Sequence, residues 1–419
     1  MTPFVPDSPY AVRRLLIALA LMTIGTSGMH VVVVVLPAVQ SDFGVARADA
    51  SLPYTALLIG WGVGGVLMGR IADRHGVMRA LMFGSLAVAA GFALASSARD
   101  IYTFAIIHGV LLGFFGCSAF FAPLIADTSL WFDKRRGIAV GLCASGNYLA
   151  GAVWPPIVSI AIESVGWRTT YLGMSIVCGV TLLALASLMH RRPPTAVVAQ
   201  APTGASSTTQ RPFGLSPTTA TVLLCIAGMA CCVAMSMPQV HVVALCADLG
   251  YGTMRGAQML SVMLGFGIAS RLASGYICDR IGGLRTLVLG SALQTLALAL
   301  FLPTDGLVPL FVVSALFGLA QGGIVPAYAI IIREHFSARD ASVRVGTVIM
   351  FTMLGMALGG WMSGKAYDLT GSYTAAFANG IAWNILNFAI AVYLLHKTRL
   401  RFFGPGLRLP AGSVPTSSR

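Results

Sequence analysis

The chain has 419 residues, of which 57% are hydrophobic and only 10% are charged, and its mean hydropathy is +0.82. A soluble domain of this size could not cover its surface with so few charges, and each apolar stretch runs for about 20 residues, roughly the length that crosses a ~30 Å hydrocarbon core. These features exclude a soluble enzyme, a disordered chain and a fibrous protein. They predict an all-α polytopic membrane protein.

Twelve apolar stretches, taken in chain order, predict twelve membrane-spanning helices. They lie at roughly 14–38, 51–72, 79–97, 102–126, 137–162, 168–189, 217–240, 256–278, 285–302, 307–331, 343–364 and 374–395. The first stretch is long enough to span the membrane and lacks a small-residue cleavage site. We therefore expect it to be the first helix and not a cleaved signal peptide.

The formal charge of +13 is divided unevenly between the two faces of the predicted bundle. The side that holds both termini carries 21 of the Lys and Arg residues and the opposite side carries five, whereas the acids divide seven to each side. This asymmetry follows the positive-inside rule, so we expect both termini in the cytoplasm and the protein in an inner or plasma membrane. Because the basic residues report topology, we expect no nucleic-acid partner.

The eight cysteines form no metal or disulfide pattern. Seven fall within predicted spans, Cys246 lies just outside one, and no Cys-x-x-Cys pair occurs. We expect them to be buried small hydrophobic residues. No nucleophile–base pair or metal constellation suggests an enzyme, and no cofactor or metal is expected.

The chain divides into two halves with six predicted spans each, at 1–189 and 217–396. Residues 190–216 between them are rich in Pro, Ala, Ser and Thr and predict a flexible cytoplasmic linker, and 397–419 predicts a cytoplasmic tail. An internal repeat supports this division. Gly69-Arg-Ile-Ala-Asp-Arg-His-Gly76 recurs as Gly275-Tyr-Ile-Cys-Asp-Arg-Ile-Gly282, and with the following arginines six positions coincide at an offset of 206 residues.

The repeated turn resembles the G-x-x-x-D-R-x-G-x-R loop of the major facilitator superfamily. The resemblance extends over residues 13–396 and implies two six-helix bundles that rock about a site near the membrane midplane. The carboxylates of Asp73 and Asp279 can accept from a helix N-terminus or a cytoplasmic arginine, so we expect them to form a gating latch. Arg74, Arg280 and Arg136 are the expected basic members. The alternative is a basic turn that only sets topology.

Arg271 lies well inside predicted span 8. A cation at this depth costs between about 2.5 and 17 kcal/mol depending on the scale, so it must face a cavity or a partner. No acid lies deep in any predicted span, and the nearest candidate is Asp127 at the end of span 4. The planar guanidinium suits bidentate binding of an anion brought by a ligand. The alternative is a structural arginine that reaches toward the cytoplasm or pairs with Asp127.

His30 lies in the middle of predicted span 1. Imidazole changes charge in the pH range where a proton-coupled carrier must load and unload, so His30 is a candidate for proton or substrate binding. The alternative is a hydrogen bond to a backbone carbonyl. His108 and His241 are weaker candidates. Mid-span polar and aromatic residues could line the rest of a pocket for a small organic anion, although helix packing is the simpler explanation for each: Phe121, Asn147, Tyr148, Gln321 and Tyr328.

Residues 131–146 resemble the aromatic-Phe-x-Lys-Arg-Arg-x-x-Ala-x-Gly-Leu-x-x-x-Gly signature of the monocarboxylate-porter family. Arg271 and Gly275 are similar to that family's Arg-x-x-x-Gly in span 8, whose arginine holds the substrate carboxylate, and His30 falls where several members carry a transport lysine. Two features depart from the family. The acidic-Gly-x-aromatic pattern of span 1 is missing, and Gly267 stands where some members have a proton-shuttling aspartate. A coupled proton would therefore be carried by His30 or by the substrate carboxyl group, unless anions are exchanged.

The favoured interpretation is a secondary carrier for a small monocarboxylate or related organic anion, with a proton, that functions as a monomer by rocker-switch alternating access. A second interpretation is an organic anion antiporter of the oxalate–formate type. A drug–proton efflux antiporter is third, because span 4 lacks an Arg-x-x-x-Gly element and span 5 has Trp154-Pro155-Pro156 in place of a Gly-Pro-rich element. A sensor built on a carrier fold is the least favoured interpretation, because it would need a cytoplasmic signalling extension.

Overall fold

The computed structural model describes residues 7–132, 136–191 and 212–403. Within these ranges every regular element is helical, and twelve helical segments are long and apolar enough to cross a membrane. They are spans 1 to 12, with bounds Pro9–Phe43, Arg47–His75, Val77–Ser96, Ile101–Trp131, Arg136–Val165, Trp167–Ser187, Pro217–Asp248, Thr253–Ile281, Gly283–Phe301, Leu307–His335, Val343–Thr370 and Thr374–Thr398. The all-α fold with twelve spans is confirmed.

Short turns connect most of the spans, so successive helices alternate in direction. Span 1 therefore begins and span 12 ends on the same face, here called the termini face; the opposite one is the far face. The repeated turns after spans 2 and 8 lie on the termini face and end at Gly76 and Gly282, whose φ angles are +89° and +83°. A residue with a Cβ is strained at such angles, which explains why glycine stands at both positions.

Four spans are interrupted near their middle. Span 1 is interrupted at Thr26, whose hydroxyl donates to the carbonyl of Met22 at 2.7 Å and shares that acceptor with its own backbone N–H. Span 4 changes to π-helical and 3-10 geometry over 108–120 before Pro123, which has no N–H to donate. Span 5 is interrupted at Ser145 and span 10 at 322–323. Such breaks leave backbone groups free to bind side chains or ligands at mid-membrane depth.

The two halves meet along spans 2 and 11 and along spans 5 and 8. Glycines allow this close approach: a Cβ on Gly360 of span 11 would lie 3.2 Å from the ring of Tyr54 in span 2, and Gly267 of span 8 lies directly against the ring of Tyr148 in span 5. All eight cysteines are free and buried.

Most of the predicted linker and tail, at 192–211 and 404–419, lies outside the described residues. The last part of the linker, Pro212–Gly214, forms a short 3-10 turn. The ring of Phe213 packs against His335 at 4.5 Å between centroids, so this end of the linker is attached to the C-terminal half.

Candidate functional site

Arg271 lies on span 8 where this span packs against span 5 of the other half. Its Nη1 donates to the carbonyl oxygen of Ala144 at 2.9 Å, and its Nε donates to that of Gly322 at 3.5 Å. The guanidinium carbon lies 4.3 Å from the centre of the Tyr148 ring. Both carbonyls belong to the interrupted parts of spans 5 and 10, where the helical ladder leaves them available.

No carboxylate lies within ion-pair distance of Arg271 in the part of the chain that the structure describes. Carbonyl oxygens and an aromatic face solvate the guanidinium but do not compensate its unit charge. The half-buried side chain is therefore a cation at the junction of the two halves that can still pair with an anion.

His30 lies on span 1, also against span 5. Its Nε2 lies 3.1 Å from the carbonyl oxygen of Asn147, and the side chain is buried. Gly151 makes room for the imidazole, because a Cβ there would lie 2.7 Å from Cε1, and Leu264 of span 8 approaches the same glycine. The predicted alternative, a backbone hydrogen bond, is thus present. Nδ1 makes no hydrogen bond to any described residue, which leaves one ring nitrogen for a proton or a substrate.

Two side-chain amides near these residues have unsatisfied hydrogen-bonding atoms. Asn147 Oδ1 in the N-terminal half and Gln321 Nε2 in the C-terminal half are buried without a partner among the described residues. Gln321 Oε1 accepts from Gln239 Nε2 at 2.8 Å, which adds a residue of span 7 that sequence reasoning missed. A polar side chain next to Pro238 in an apolar span was the signal that could have revealed it. Buried amide groups of this kind are normally satisfied by water or a ligand.

Phe121 and Tyr328 each contact a residue of their own half. The ring of Phe121 packs edge-on against Trp61 of span 2, with 5.7 Å between centroids. The hydroxyl of Tyr328 donates to Asn387 Oδ1 at 2.7 Å, and Asn387 Nδ2 donates to Ser291 Oγ at 2.7 Å. Tyr328 therefore lies in a polar network between spans 9, 10 and 12, and its hydroxyl is already used there.

Asp127 is paired with Arg14 and not with Arg271. Arg14 Nε lies 2.8 Å from one carboxylate oxygen and Nη2 lies 2.9 Å from the other, and both side chains are almost fully buried. The guanidinium of Arg14 also lies 4.8 Å from the centre of the Trp131 ring. Sequence reasoning had counted Arg14 only as a topology-setting charge.

The residues of the expected latch are exposed on the termini face: Asp73, Arg74, Asp279, Arg280 and Arg136. Neither aspartate has an ion pair with a described residue. The guanidinium of Arg280 lies 4.4 Å from the centre of the Tyr276 ring on its own span. The latch is therefore not formed in this conformation.

A different carboxylate accepts from the helix N-terminus that follows the second repeated turn. Both oxygens of Glu334, at the end of span 10, lie 3.2 Å from the backbone nitrogen of Gly283 at the start of span 9. An anion there complements the positive end of the helix dipole.

A cluster of side chains on the far face ties the two halves together; this far-face lock consists of Arg47, Asp248, Asp368 and Tyr373. Arg47 of span 2 donates to both carboxylate oxygens of Asp248, at 2.9 and 3.2 Å, and to the hydroxyl of Tyr373 at 2.6 Å. Asp368 accepts from the backbone N–H groups of Arg47 and Ala48, each at 2.8 Å. Burial raises the pKa of the Tyr373 hydroxyl, and the Arg47 cation opposes that rise.

Sequence reasoning missed this lock. Arg47 counted only as one of five basic residues on that face, and its partners lie about 200 or more positions away in the chain. No local pattern links them.

Among the described residues, no group of three His, Cys, Asp or Glu side chains could hold a metal ion.

Comparisons with known proteins agree with this architecture. The family model described as Major Facilitator Superfamily matches residues 15–309. The chain is 28% identical to monocarboxylate transporter 13 of Rattus norvegicus, over 83% of this chain and 79% of that protein. It is 26% identical to the MFS-type transporter opdF of Penicillium oxalicum, over 81% of this chain and 78% of that one. Among solved structures, it is similar to a bacterial homologue of the human lysosomal transporter Spinster, with a TM-score of 0.68 and 16% identity over 94% of this chain and 98% of that one.

Proposed function

Because the chain belongs to the Major Facilitator Superfamily, we propose that it is a secondary active transporter of a small monocarboxylate or related organic anion, coupled to protons and operating by rocker-switch alternating access. The superfamily accounts for transport of a small molecule across a lipid bilayer. The substrate class and the proton coupling are what we propose. The substrate class is supported by the similarity of this chain to a monocarboxylate transporter.

The observation that carries the proposal is the uncompensated charge of Arg271. The guanidinium lies between the two halves, is held by the carbonyls of Ala144 and Gly322, and has no described carboxylate partner. A substrate carboxylate would supply the missing charge through a bidentate contact, and the unsatisfied amide of Gln321 could bind a further oxygen atom. A small anion therefore fits this site better than a neutral or cationic substrate.

Alternating access requires that one end of the molecule be closed while the other is released. The far-face lock closes one end, whereas Asp73 and Asp279 on the termini face have no ion pair among the described residues. We propose that the latch on the termini face forms in the opposite state. The charge asymmetry supports a cytoplasmic termini face in an inner or plasma membrane, and the proposal takes the monomer as the functional unit.

The proton is assigned to His30 in this proposal, because its Nδ1 is not used by a described residue. A second candidate is electroneutral exchange of one organic anion for another. It is favoured because no described carboxylate contacts either Arg271 or His30, so no described acidic side chain could relay the proton. Net uptake into substrate-free liposomes under an inward pH gradient separates the two mechanisms, because a proton symporter accumulates the anion there whereas an obligate exchanger requires an anion inside.

The test is uptake of short carboxylates into proteoliposomes at two pH values. Acetate, lactate, pyruvate, formate and oxalate serve as probes, with an uncharged amide of similar size as the negative control. We expect saturable uptake of at least one anion, and its loss in Arg271→Gln. Arg255→Gln is the matched control, because Arg255 is an exposed arginine at the far-face end of the same span. Uptake of uncharged or cationic compounds alone would contradict the proposal.

A further inference from the structure

His241, which the sequence marks as a weaker candidate for proton or substrate binding, lies directly beneath the far-face lock. We propose that His241 is a proton-binding site whose occupation opens the lock. The part of this proposal that concerns the transport cycle rests on the proposed transport function, whereas the opening of the lock by a proton does not. Its physical basis is the hydrogen-bond chain that connects the imidazole to Arg47 in the opposite half.

When the lock is closed, the hydrogen bonds that link His241, Tyr373 and Arg47 allow one consistent placement of the hydrogen atoms. His241 Nε2 lies 2.8 Å from the carbonyl oxygen of Gly360, which can only accept, so Nε2 carries the hydrogen. In the neutral ring Nδ1 is then an acceptor, and the Tyr373 hydroxyl lies 3.4 Å from it. The same hydroxyl oxygen accepts from Arg47 Nη1 at 2.6 Å. Tyr373 therefore accepts from Arg47 and donates to His241.

A proton on Nδ1 reverses the last link of this chain. Two donors, Arg47 and the imidazolium, would then face the single hydroxyl oxygen of Tyr373, and the hydroxyl hydrogen would lose its acceptor. Two cations would also lie on either side of one hydroxyl group in a buried setting, since His241 is 1% and Arg47 7% exposed. Separation of the two halves at this face relieves both conflicts.

Four elements supply the charged or titratable groups around His241, whereas span 9 contributes the apolar ring of Phe301. Span 2 supplies Arg47, the end of span 7 supplies Asp248, span 11 supplies Asp368, and Tyr373 precedes span 12. The two carboxylates are engaged by Arg47 and by backbone N–H groups and do not contact the imidazole. When the lock opens, the two carboxylates are no longer neutralised by Arg47 and the backbone N–H groups. Their negative charge then stabilises the protonated imidazole in the open state.

Another buried histidine, His108, is placed differently. His108 pairs with the Tyr171 hydroxyl at 3.1 Å and with the carbonyl of Phe104, all within the N-terminal half, so its protonation cannot act across the interface in this way. His108 is therefore a matched control: a buried histidine with a tyrosine partner that does not bridge the halves.

The test measures the distance between the halves on the far face without any substrate. Spin labels are attached to Ser41→Cys and Ser372→Cys, which are exposed on that face in opposite halves. Pulsed electron paramagnetic resonance then measures the distance between the two labels in nanodiscs. The eight native cysteines are buried, and a sample without the two added cysteines corrects for their labelling. Labels are attached at neutral pH, and the pH is then varied from about 8 to about 5.

We expect the population with the longer distance to rise several-fold on acidification. His241→Gln keeps an acceptor and a donor at this position but cannot be charged, so it should keep the lock closed across the whole pH range. His108→Gln should respond as the parent does. Tyr373→Phe removes the shared hydroxyl and should weaken the acid response, which provides a second reading if His241→Gln does not fold.

A response that persists unchanged in His241→Gln, a shortening on acidification, or no response at all would overturn the proposal. Because the readout requires no transported substrate, these outcomes are separate from the uptake test of Arg271. Failure of that test would leave a proton-responsive lock in a transporter of another substrate.

Discussion

At the scale of single residues, the surroundings of an arginine decide what it can bind. Arg14 and Arg271 both lie within spans, but Arg14 is neutralised by Asp127, whereas among the described residues Arg271 is held by carbonyl oxygens and an aromatic ring. The first arrangement joins two helices. The second leaves a charge to be compensated by something that enters from outside.

Arg271→Lys is expected to lower the affinity for the transported anion by roughly tenfold or more, because the ammonium keeps the charge but loses the planar bidentate geometry. Arg271→Gln should abolish transport while the protein still folds in detergent, since removal of an unpaired charge from a span is not a loss of stability. Titration calorimetry with the anion identified by the uptake screen measures both variants. Affinity of Arg271→Gln within about twofold of the parent would refute the assignment.

His30→Gln tests the proposed proton site. The amide can keep the hydrogen bond to the carbonyl of Asn147 but cannot titrate, so we expect the pH dependence of uptake to flatten while exchange of substrate remains measurable. Uptake at several pH values and counterflow at equal pH provide the two readings. If accumulation stays fully pH-dependent, the proton is carried by the substrate carboxyl group.

At the scale of helices, a buried ion pair fixes span 1 against span 4. Removing one partner leaves the other charge buried without compensation, so Asp127→Ala should destabilise the protein by roughly 3–5 kcal/mol. The double variant Arg14→Met, Asp127→Leu should recover most of that loss, because apolar side chains of similar size fill the space without a charge. Thermal unfolding in detergent compares the two. Equal destabilisation by the single and double variants would contradict this account.

The repeated turns also act between helices, at the start of spans 3 and 9. If Asp73 and Asp279 close the termini face in the opposite state, Asp73→Asn and Asp279→Asn should reduce the rate of turnover more than the equilibrium affinity. Uptake rates and binding, measured on the same preparations, separate the two effects. Unchanged uptake rates in both variants would leave these turns as topology signals only.

At the scale of the whole molecule, the balance between the two end states depends on the far-face lock. Arg47→Gln removes the ion pair with Asp248, so we expect a larger population open at the far face at neutral pH and slower transport. The spin-label pair on the far face measures this population. Arg168→Gln is the matched control, because Arg168 pairs with Asp42 at 2.9 Å on the same face but within one half. Equal effects of the two variants would show that the lock does not hold the halves together.

The twelve spans and the position of Arg271 within one of them could be predicted from the sequence because each depends on local composition. The thickness of the hydrocarbon core sets the length of an apolar stretch, and a charge within such a stretch is visible without any knowledge of its neighbours. The repeated turn is equally local, since its last glycines, Gly76 and Gly282, are required by backbone angles within the turn itself.

The partners of those residues were decided only by the tertiary structure. Nothing near Asp127 in the chain indicates Arg14, and nothing near Arg47 indicates Asp248, Asp368 or Tyr373. In a chain whose helices are apolar on nearly all sides, periodicity does not show which face of a helix meets which neighbour. That choice is made by close packing at glycines and by pairing of the few buried polar groups, and both depend on contacts between residues far apart in sequence.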